Sequence, residues 1–142
     1  MTTTTHVEAI DRSVEKANLW LKDMATELGG ERREAYAALR AVLHTLRDRL
    51  TVDEAAQLGA QLPLVIRGIY YENWDPSDPP QSYSHARAFL DRVAADAGYA
   101  GDTEAGFAVQ AAAAVLRFHI SEGEMDDVRA QLPAGVRVLF EE

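Results

Sequence analysis

Apolar residues recur at alternating spacings of three and four along the first segment of the chain, from about Thr5 to Leu28. Such spacing places them on one face of an α-helix, which can then pack against a core. Thr5 and Glu8 match a capping box at the start of this helix, and Gly29 follows its end. The apolar stripe consists of Val7, Ile10, Val14, Ala17, Leu21, Met24 and Leu28.

The same periodicity continues through most of the chain, and it predicts an all-α fold, a helical bundle. Thr51 and Glu54 match a second capping box, and Asp102 is a good N-cap. Residues 136–140 have a strand-like valine pattern but are predicted to be helical, because the matching residues 65–71 have a helical pattern. The further helices are expected at about 32–50, 52–61, 63–71, 83–97 and from 102 onward.

The chain matches itself when it is shifted by 70 residues. Ala60-Gln61-Leu62-Pro63 then falls on Ala130-Gln131-Leu132-Pro133, and the Thr51 capping box falls on a second one formed by Ser121 and Glu124. Shared tetrapeptides and caps do not follow from helical periodicity alone, so we predict two tandem four-helix repeats related by a pseudo-twofold axis.

The predicted domain organisation follows from the repeat and from the prolines. Residues 1–6 are expected to be a disordered N-terminal tail, and residues 7–142 a single all-helical domain. Within it, repeat 1 covers about 7–72 and repeat 2 about 83–142. The connector, residues 73–82, holds three of the five prolines and cannot form a helix.

Charge and composition narrow the classes of function. The 142 residues carry a net charge of −9 and include 0 cysteines. An acidic chain repels phosphate backbones and anionic lipid surfaces, so neither nucleic acid nor membrane is an expected partner. The chain can form no disulfide and no thiolate metal site. With no targeting pattern at Met1 to Thr5, we expect a cytoplasmic protein.

Motifs that would indicate a reaction are missing from the sequence. No glutamate is followed three residues later by histidine, and there is no Gly-rich phosphate loop. The sequence therefore predicts no catalytic residues, no metal ligands and no cofactor.

Two groups of residues are candidate binding residues. Arg40 and Arg47 belong to a stripe of arginines on the second helix, which also carries His44. The stripe could bind an acidic partner, or it could be a solvated face paired with acids of the chain. The second group is aromatic and lies where the fourth helix meets the connector: Tyr70, Tyr71 and Trp74, with Arg67 one turn earlier. Trp74 is expected to pack on the bundle and fix the connector.

The runs of residues 37–50 and 60–74, together with the second Ala-Gln-Leu-Pro at 130–133, resemble a bacterial family known as DUF2267. The resemblance covers most of residues 7–142. It implies a small all-helical cytosolic protein and implies no reaction.

Because motifs for catalysis, metal binding and phosphate binding are missing, the sequence favours a non-enzymatic binding or protein-interaction module. Its partner could be another protein or a second copy in a homodimer. The alternative is an enzyme or small-molecule binder with a pocket between the two repeats, lined by Tyr70, Tyr71, His44 and Arg67. A pocket of several hundred Å3 with converging polar groups would favour the alternative. A closed core with an exposed aromatic patch would favour the interaction module.

Overall fold

The computed structural model describes residues 6–141, and in that range all regular secondary structure is helical, as predicted. The predicted tail lies outside the described residues except for His6. The eight α-helices are α1 (Glu8–Leu28), α2 (Arg32–Arg49), α3 (Val52–Gln61), α4 (Leu64–Tyr71), α5 (Ala86–Ala97), α6 (Asp102–His119), α7 (Glu122–Gln131) and α8 (Ala134–Arg137), and a 3-10 turn (Val138–Phe140) follows.

The helix ends differ from the predicted ones at several points. α1 starts later than expected, with Val7 as its N-cap, and Thr5 lies outside the described residues. Asp102 is the first residue of α6 rather than its cap, which is Gly101. Gly29 ends α1 in the left-handed conformation, with φ of 80°, which glycine adopts without steric cost.

α2 and α6 form the centre of the bundle. α2 packs against α1, α4, α5 and α6, and α6 packs in addition against α7 and the C-terminal turn. α6 buries five alanines, and side chains this small let neighbouring helices approach closely. The buried alanines of α6 are Ala105, Ala108, Ala111, Ala112 and Ala113.

The segment between α4 and α5 runs across the C-terminal end of α2. The Gln81 amide donates to the Asp48 carbonyl at 2.8 Å, and Arg49 Nε donates to the Tyr83 carbonyl at 2.8 Å. The Tyr83 hydroxyl donates in turn to the carbonyl of Thr45. These bonds hold the segment on the bundle although it has no helix of its own.

The C-terminal residues are helical and not extended, as predicted from their counterpart. The Phe140 ring is buried and meets the Phe89 ring edge-on, with centroids 5.6 Å apart. α8 also passes very close to the start of α5: a Cβ atom at Gly135 would lie 2.5 Å from the carbonyl oxygen of Ser84. Glycine at this position therefore sets the distance between the two segments.

This close approach predicts that Gly135→Ala lowers the free energy of unfolding by about 1–3 kcal/mol, because backbone atoms cannot yield as a side chain can. Gly106→Ala, in α6, is the matched control, since a Cβ there meets no atom within 4 Å. It should raise stability by up to about 1 kcal/mol through helix propensity. Urea denaturation measures both, and equal stabilities would contradict the close-packing argument.

Candidate functional site

The candidate residues on α2 lie on one stripe, and that stripe faces the C-terminal end of α4. His44 Nε2 donates to the Ile69 carbonyl at 2.7 Å, since a carbonyl oxygen can only accept. Arg40 Nε is 2.9 Å from the Glu72 carboxylate. The carbonyls in the last turn of a helix have no partner within that helix, and positive groups are favourable there. The stripe thus supplies hydrogen bonds and positive charge to the C-terminal end of α4, a role that we call bracing.

Arg47 makes the largest contribution to this bracing. Its Nη1 donates to the carbonyls of both Tyr70 and Glu72 at 2.7 Å, and its Nε donates to the Asp48 carboxylate at 2.8 Å. Only 4% of Arg47 is exposed. The Asp48 carboxylate also pairs with Arg92 of α5 at 3.1 Å, so the network joins three helices.

His44 is buried, and burial lowers its pKa. The neighbouring positive charges of Arg47 and Arg40 act in the same direction. The hydrogen bond to the Ile69 carbonyl and the charge of Glu72 oppose the shift without reversing it. The neutral ring with hydrogen on Nε2 is therefore the form that fits the helix end.

Arg67 braces another helix end. Its Nε donates to the Gly59 carbonyl at 2.9 Å and its Nη2 to the Leu62 carbonyl at 2.9 Å, both at the end of α3. Its guanidinium therefore bonds backbone oxygens of its own chain.

The aromatic residues are packed inward to different degrees. Tyr70 is fully buried and donates its hydroxyl hydrogen to the Ala55 carbonyl at 2.8 Å, and burial raises its pKa. Tyr71 is half-buried and stacks on Trp74, with ring centroids 5.2 Å apart. Trp74 itself is half-buried and packed against the core. These three rings connect the core to the segment that follows α4.

The predicted binding residues other than Arg67 therefore meet around the end of α4 but do not surround one pocket. Tyr70 and His44 are buried among backbone oxygens. Arg47 and Trp74 line a small hollow of about 80 Å3 beside the prolines. Arg67 lies elsewhere, on a groove of about 370 Å3 that it shares with Trp20 and His119. In that groove His119 stacks on Trp20 and its Nε2 is 2.8 Å from the Asp23 carboxylate.

Sequence reasoning missed a pair of buried glutamates. Only 3% of Glu54 and 8% of Glu124 is exposed, although both are charged types. One carboxylate oxygen of each, together with one of Asp127, lies within 4.8 Å of the others. Burial raises the pKa of Glu124 to about 8, and its contact with Glu54 and the charge of Asp127 add to this.

The capping-box prediction explains why these glutamates were missed. The hydroxyls of Thr51 and Ser121 accept from the Glu54 and Glu124 amides at 3.2 Å, so half of each predicted box is present. The Thr51 amide and hydroxyl donate instead to Gln131 Oε1. The Glu54 carboxylate thus takes no part in the cap, and that half of the prediction is wrong. The recurrence of glutamate under the 70-residue shift was the available signal.

A second missed feature is the outward side of α6. Phe107 and Phe118 are 58% and 79% exposed, although the helix is central to the bundle. Phe118 borders two grooves, of about 560 Å3 and 260 Å3, and Phe107 borders one of about 300 Å3. Residues 107–120 form an apolar stretch of the sequence, and periodicity does not separate its inner face from its outer one.

Taken together, fold and site define an all-helical protein whose polar side chains brace helix ends and whose central helix exposes two phenylalanines. A family model described as "Uncharacterized conserved protein (DUF2267)" matches residues 17–139. The match covers most of the chain, so the chain belongs to the DUF2267 family, as the resemblance in its sequence implies. No curated protein matches it. Among the helices of residues 6–141, none combines the length and apolar character needed to cross a membrane.

The bracing predicts unequal effects for two arginines of the same stripe. Arg47→Met should lower the free energy of unfolding by about 2–4 kcal/mol, because two carbonyls lose their donor inside the protein. Arg40→Met should cost about 1 kcal/mol or less, since its partner Glu72 is exposed. Urea midpoints compare the two variants, and equal losses would count against the bracing role of Arg47.

The lowered pKa of His44 predicts a pH dependence of stability. Below its ordinary value of 6.5, the unfolded histidine binds a proton that the folded one does not, so stability falls as the pH falls. His44→Gln keeps a donor that does not titrate, and its stability should fall less steeply between about pH 7 and pH 5. Exposed His85→Gln is the control and should follow the wild type. A His44→Gln profile parallel to the wild type would contradict the prediction.

Proposed function

We propose that this protein is a non-enzymatic protein-interaction module whose contact surface is the outward side of α6. The observation that carries the proposal is the exposure of two phenylalanines on a central helix of the bundle. Exposed apolar patches with a polar rim mark protein-interaction sites, and aromatic residues are frequent anchors there. Phe118, with 79% exposed, is the expected anchor.

The spacing of residues on α6 places the two phenylalanines on one side of the helix. Phe107, Ala114 and Phe118 follow one another at intervals of seven and four, so they lie along one stripe of the helix. Ala114 borders both grooves beside Phe118. Its small side chain leaves room next to the exposed ring for an apolar side chain of a partner.

The charges around Phe107 and Phe118 of α6 indicate what kind of partner this surface would bind. The groove at Phe118 and α1 is lined by Asp23 and Glu27, and the groove at Phe107 by Glu34 and Glu104. The other groove at Phe118 carries both signs of charge, with Arg117, Arg129, Glu122 and Glu141. With a net charge of −9, a second copy of the chain would meet like charge. We therefore propose a protein partner that presents an apolar side chain flanked by lysine or arginine, in preference to a homodimer.

The polar candidate residues are already bonded within the chain, so the proposed contact surface does not include them. Arg40, Arg47 and Arg67 each bond acceptors of the chain itself, and His44 bonds the Ile69 carbonyl. These residues are proposed to support the surface by holding the helix ends, and not to contact a ligand. A cytoplasmic location remains part of this proposal.

The duplicated architecture is also a proposal, in which residues 7–142 form one domain of two four-helix units about a pseudo-twofold axis, joined by residues 73–82. Residues 51–70 and 121–140 differ in burial only at Gly59 and Arg129, which supports it. Arg137 donates to the carbonyls of Arg129 and Leu132, the two positions that correspond to the acceptors of Arg67. Non-equivalent positions of Pro63 and Pro133 after superposition of the units would contradict it.

A small-molecule binder is the second candidate, and one observation favours it. The groove of about 370 Å3 brings Arg67 and Lys16 together with the stacked Trp20 and His119 rings. An anionic aromatic compound would fit such a lining, because it could pair with the cations and stack on the rings.

The interaction module is tested with a photocrosslinking residue placed at position 118 and, as a control, at position 64. Leu64 is 53% exposed and lies on α4, away from the stripe. We expect position 118 to crosslink a partner in cells that position 64 does not. With that partner purified, Phe118→Ser should weaken binding by about 2 kcal/mol or more, and Leu64→Ser should leave it unchanged.

Equal crosslinking from the two positions would contradict the proposed surface, as would equal affinities of the two serine variants. Binding that is insensitive to added salt would contradict the basic character of the partner, because paired surface charges are screened. A partner identified as a second copy of the chain would replace the proposal by the homodimer.

A further inference from the structure

We propose that Glu54, Glu124 and Asp127 form a binding site for a hard divalent cation, of the class of Mg2+ or Mn2+, at the contact between α3 and α7. The proposal does not rest on the function proposed above. The sequence predicted no metal ligands, because the carboxylates come from two helices and follow no motif spacing.

The geometry of the two helices brings the carboxylates together. Glu54 lies in the first turn of α3 and Glu124 in the first turn of α7, and these two helices pack against each other. One oxygen of each glutamate and one of Asp127 lie within 4.8 Å of one another. With metal–oxygen distances of about 2.0–2.6 Å, two oxygens on one ion lie at most about 4–5 Å apart, so small side-chain shifts would bring these three oxygens onto one ion.

Buried oxygens without partners are the second observation. Oε2 of Glu54 and Oε2 of Glu124 are shielded from solvent and have no hydrogen-bond partner among the described residues. Only 3% of Glu54 and 8% of Glu124 is exposed. Buried carboxylates that are not compensated are costly, so native proteins pair them or use them to bind metals. A bound cation would compensate the charge of both buried carboxylates.

The donor atoms decide the class of metal. All three ligands offer oxygen, and the cluster contains neither histidine nor cysteine. Oxygen ligands suit Mg2+, Mn2+ and Ca2+, whereas zinc sites usually include nitrogen or sulfur. Three protein ligands leave positions for water, which Mg2+ and Mn2+ usually retain and Ca2+ needs in larger number. Asp127 is exposed and gives the ion a route to solvent.

The position of the site gives it a structural consequence. Besides the glutamates, the hydrogen bond from the Thr51 hydroxyl to Gln131 Oε1, at 2.9 Å, joins the ends of α3 and α7. A cation that binds both glutamates would hold the first turns of the two helices together. Such a cation therefore stabilises the contact between the N-terminal and C-terminal parts of the chain.

The experiment titrates the full chain, freed of metal by chelation, with Mn2+ and follows free Mn2+ by electron paramagnetic resonance. We expect one bound ion per chain, displaced by Mg2+. Asp127→Asn should weaken binding by about 10-fold or more, and Asp126→Asn should not. Asp126 is the matched control, because it is the neighbouring residue, is also exposed and lies outside the cluster.

Glu54→Gln and Glu124→Gln are the second pair of variants, with exposed Glu122→Gln as control. Glutamine keeps the shape of glutamate, so both variants should fold, and both should lose the binding and the increase in melting temperature that Mn2+ gives the wild type. No Mn2+ binding at about 1 mM would overturn the proposal, as would equal affinities of Asp126→Asn and Asp127→Asn. Mn2+ binding by both glutamine variants with the affinity of the wild type would also overturn the proposal. If the glutamine variants do not fold, the two aspartate variants still decide the question.

Discussion

The carbonyl oxygens at the C-terminal ends of short helices need donors, and this fold depends on how it supplies them. The last carbonyls of α3 and α4 receive donors from arginine side chains of the same chain. Arg67 reaches back to the end of α3, and Arg47 reaches across from α2 to the end of α4. A guanidinium offers five hydrogens in a planar fork, and a single Arg47 satisfies two carbonyls and a carboxylate. Lysine, with a single charged atom on a flexible stem, could not replace it without loss.

This constraint also explains how the segment without helical structure is held. Asp48 receives Arg47 and Arg92 on its carboxylate while its carbonyl accepts the Gln81 amide. Asp48 thus links two arginines to the connecting segment, and the loss of any one partner would weaken the contacts of the others. Networks of this kind strengthen when all members are satisfied and become costly when one is lost.

Periodicity was enough to predict the helices, although it did not predict which apolar residues are buried. Three residues of the predicted α1 stripe are exposed, namely Val7, Ile10 and Val14. Periodicity placed the helix at Val52–Gln61 correctly, and it recognised residues 136–140 as helical through their counterpart. It failed for side chains whose partners are distant in sequence. Arg40 and Arg47 were seen as a stripe, but nothing local reveals that it faces α4. Glu54 has the spacing of a cap, and only the packing of α3 on α7 shows that its carboxylate points elsewhere.

Two features of the structure are energetically unfavourable in the isolated chain, and they are opposite in kind. Phe118 is apolar and exposed, although α6 has buried neighbours on its other faces; Glu54 and Glu124 are acidic and buried, although α3 and α7 have exposed positions nearby. Each placement costs free energy in an isolated chain, the first by contact of apolar surface with water and the second by desolvation of charge. A partner that covers the ring and a cation that joins the carboxylates would remove these costs. Since the bracing arginines already satisfy the helix ends, the sites that remain unsatisfied are those where binding can contribute most.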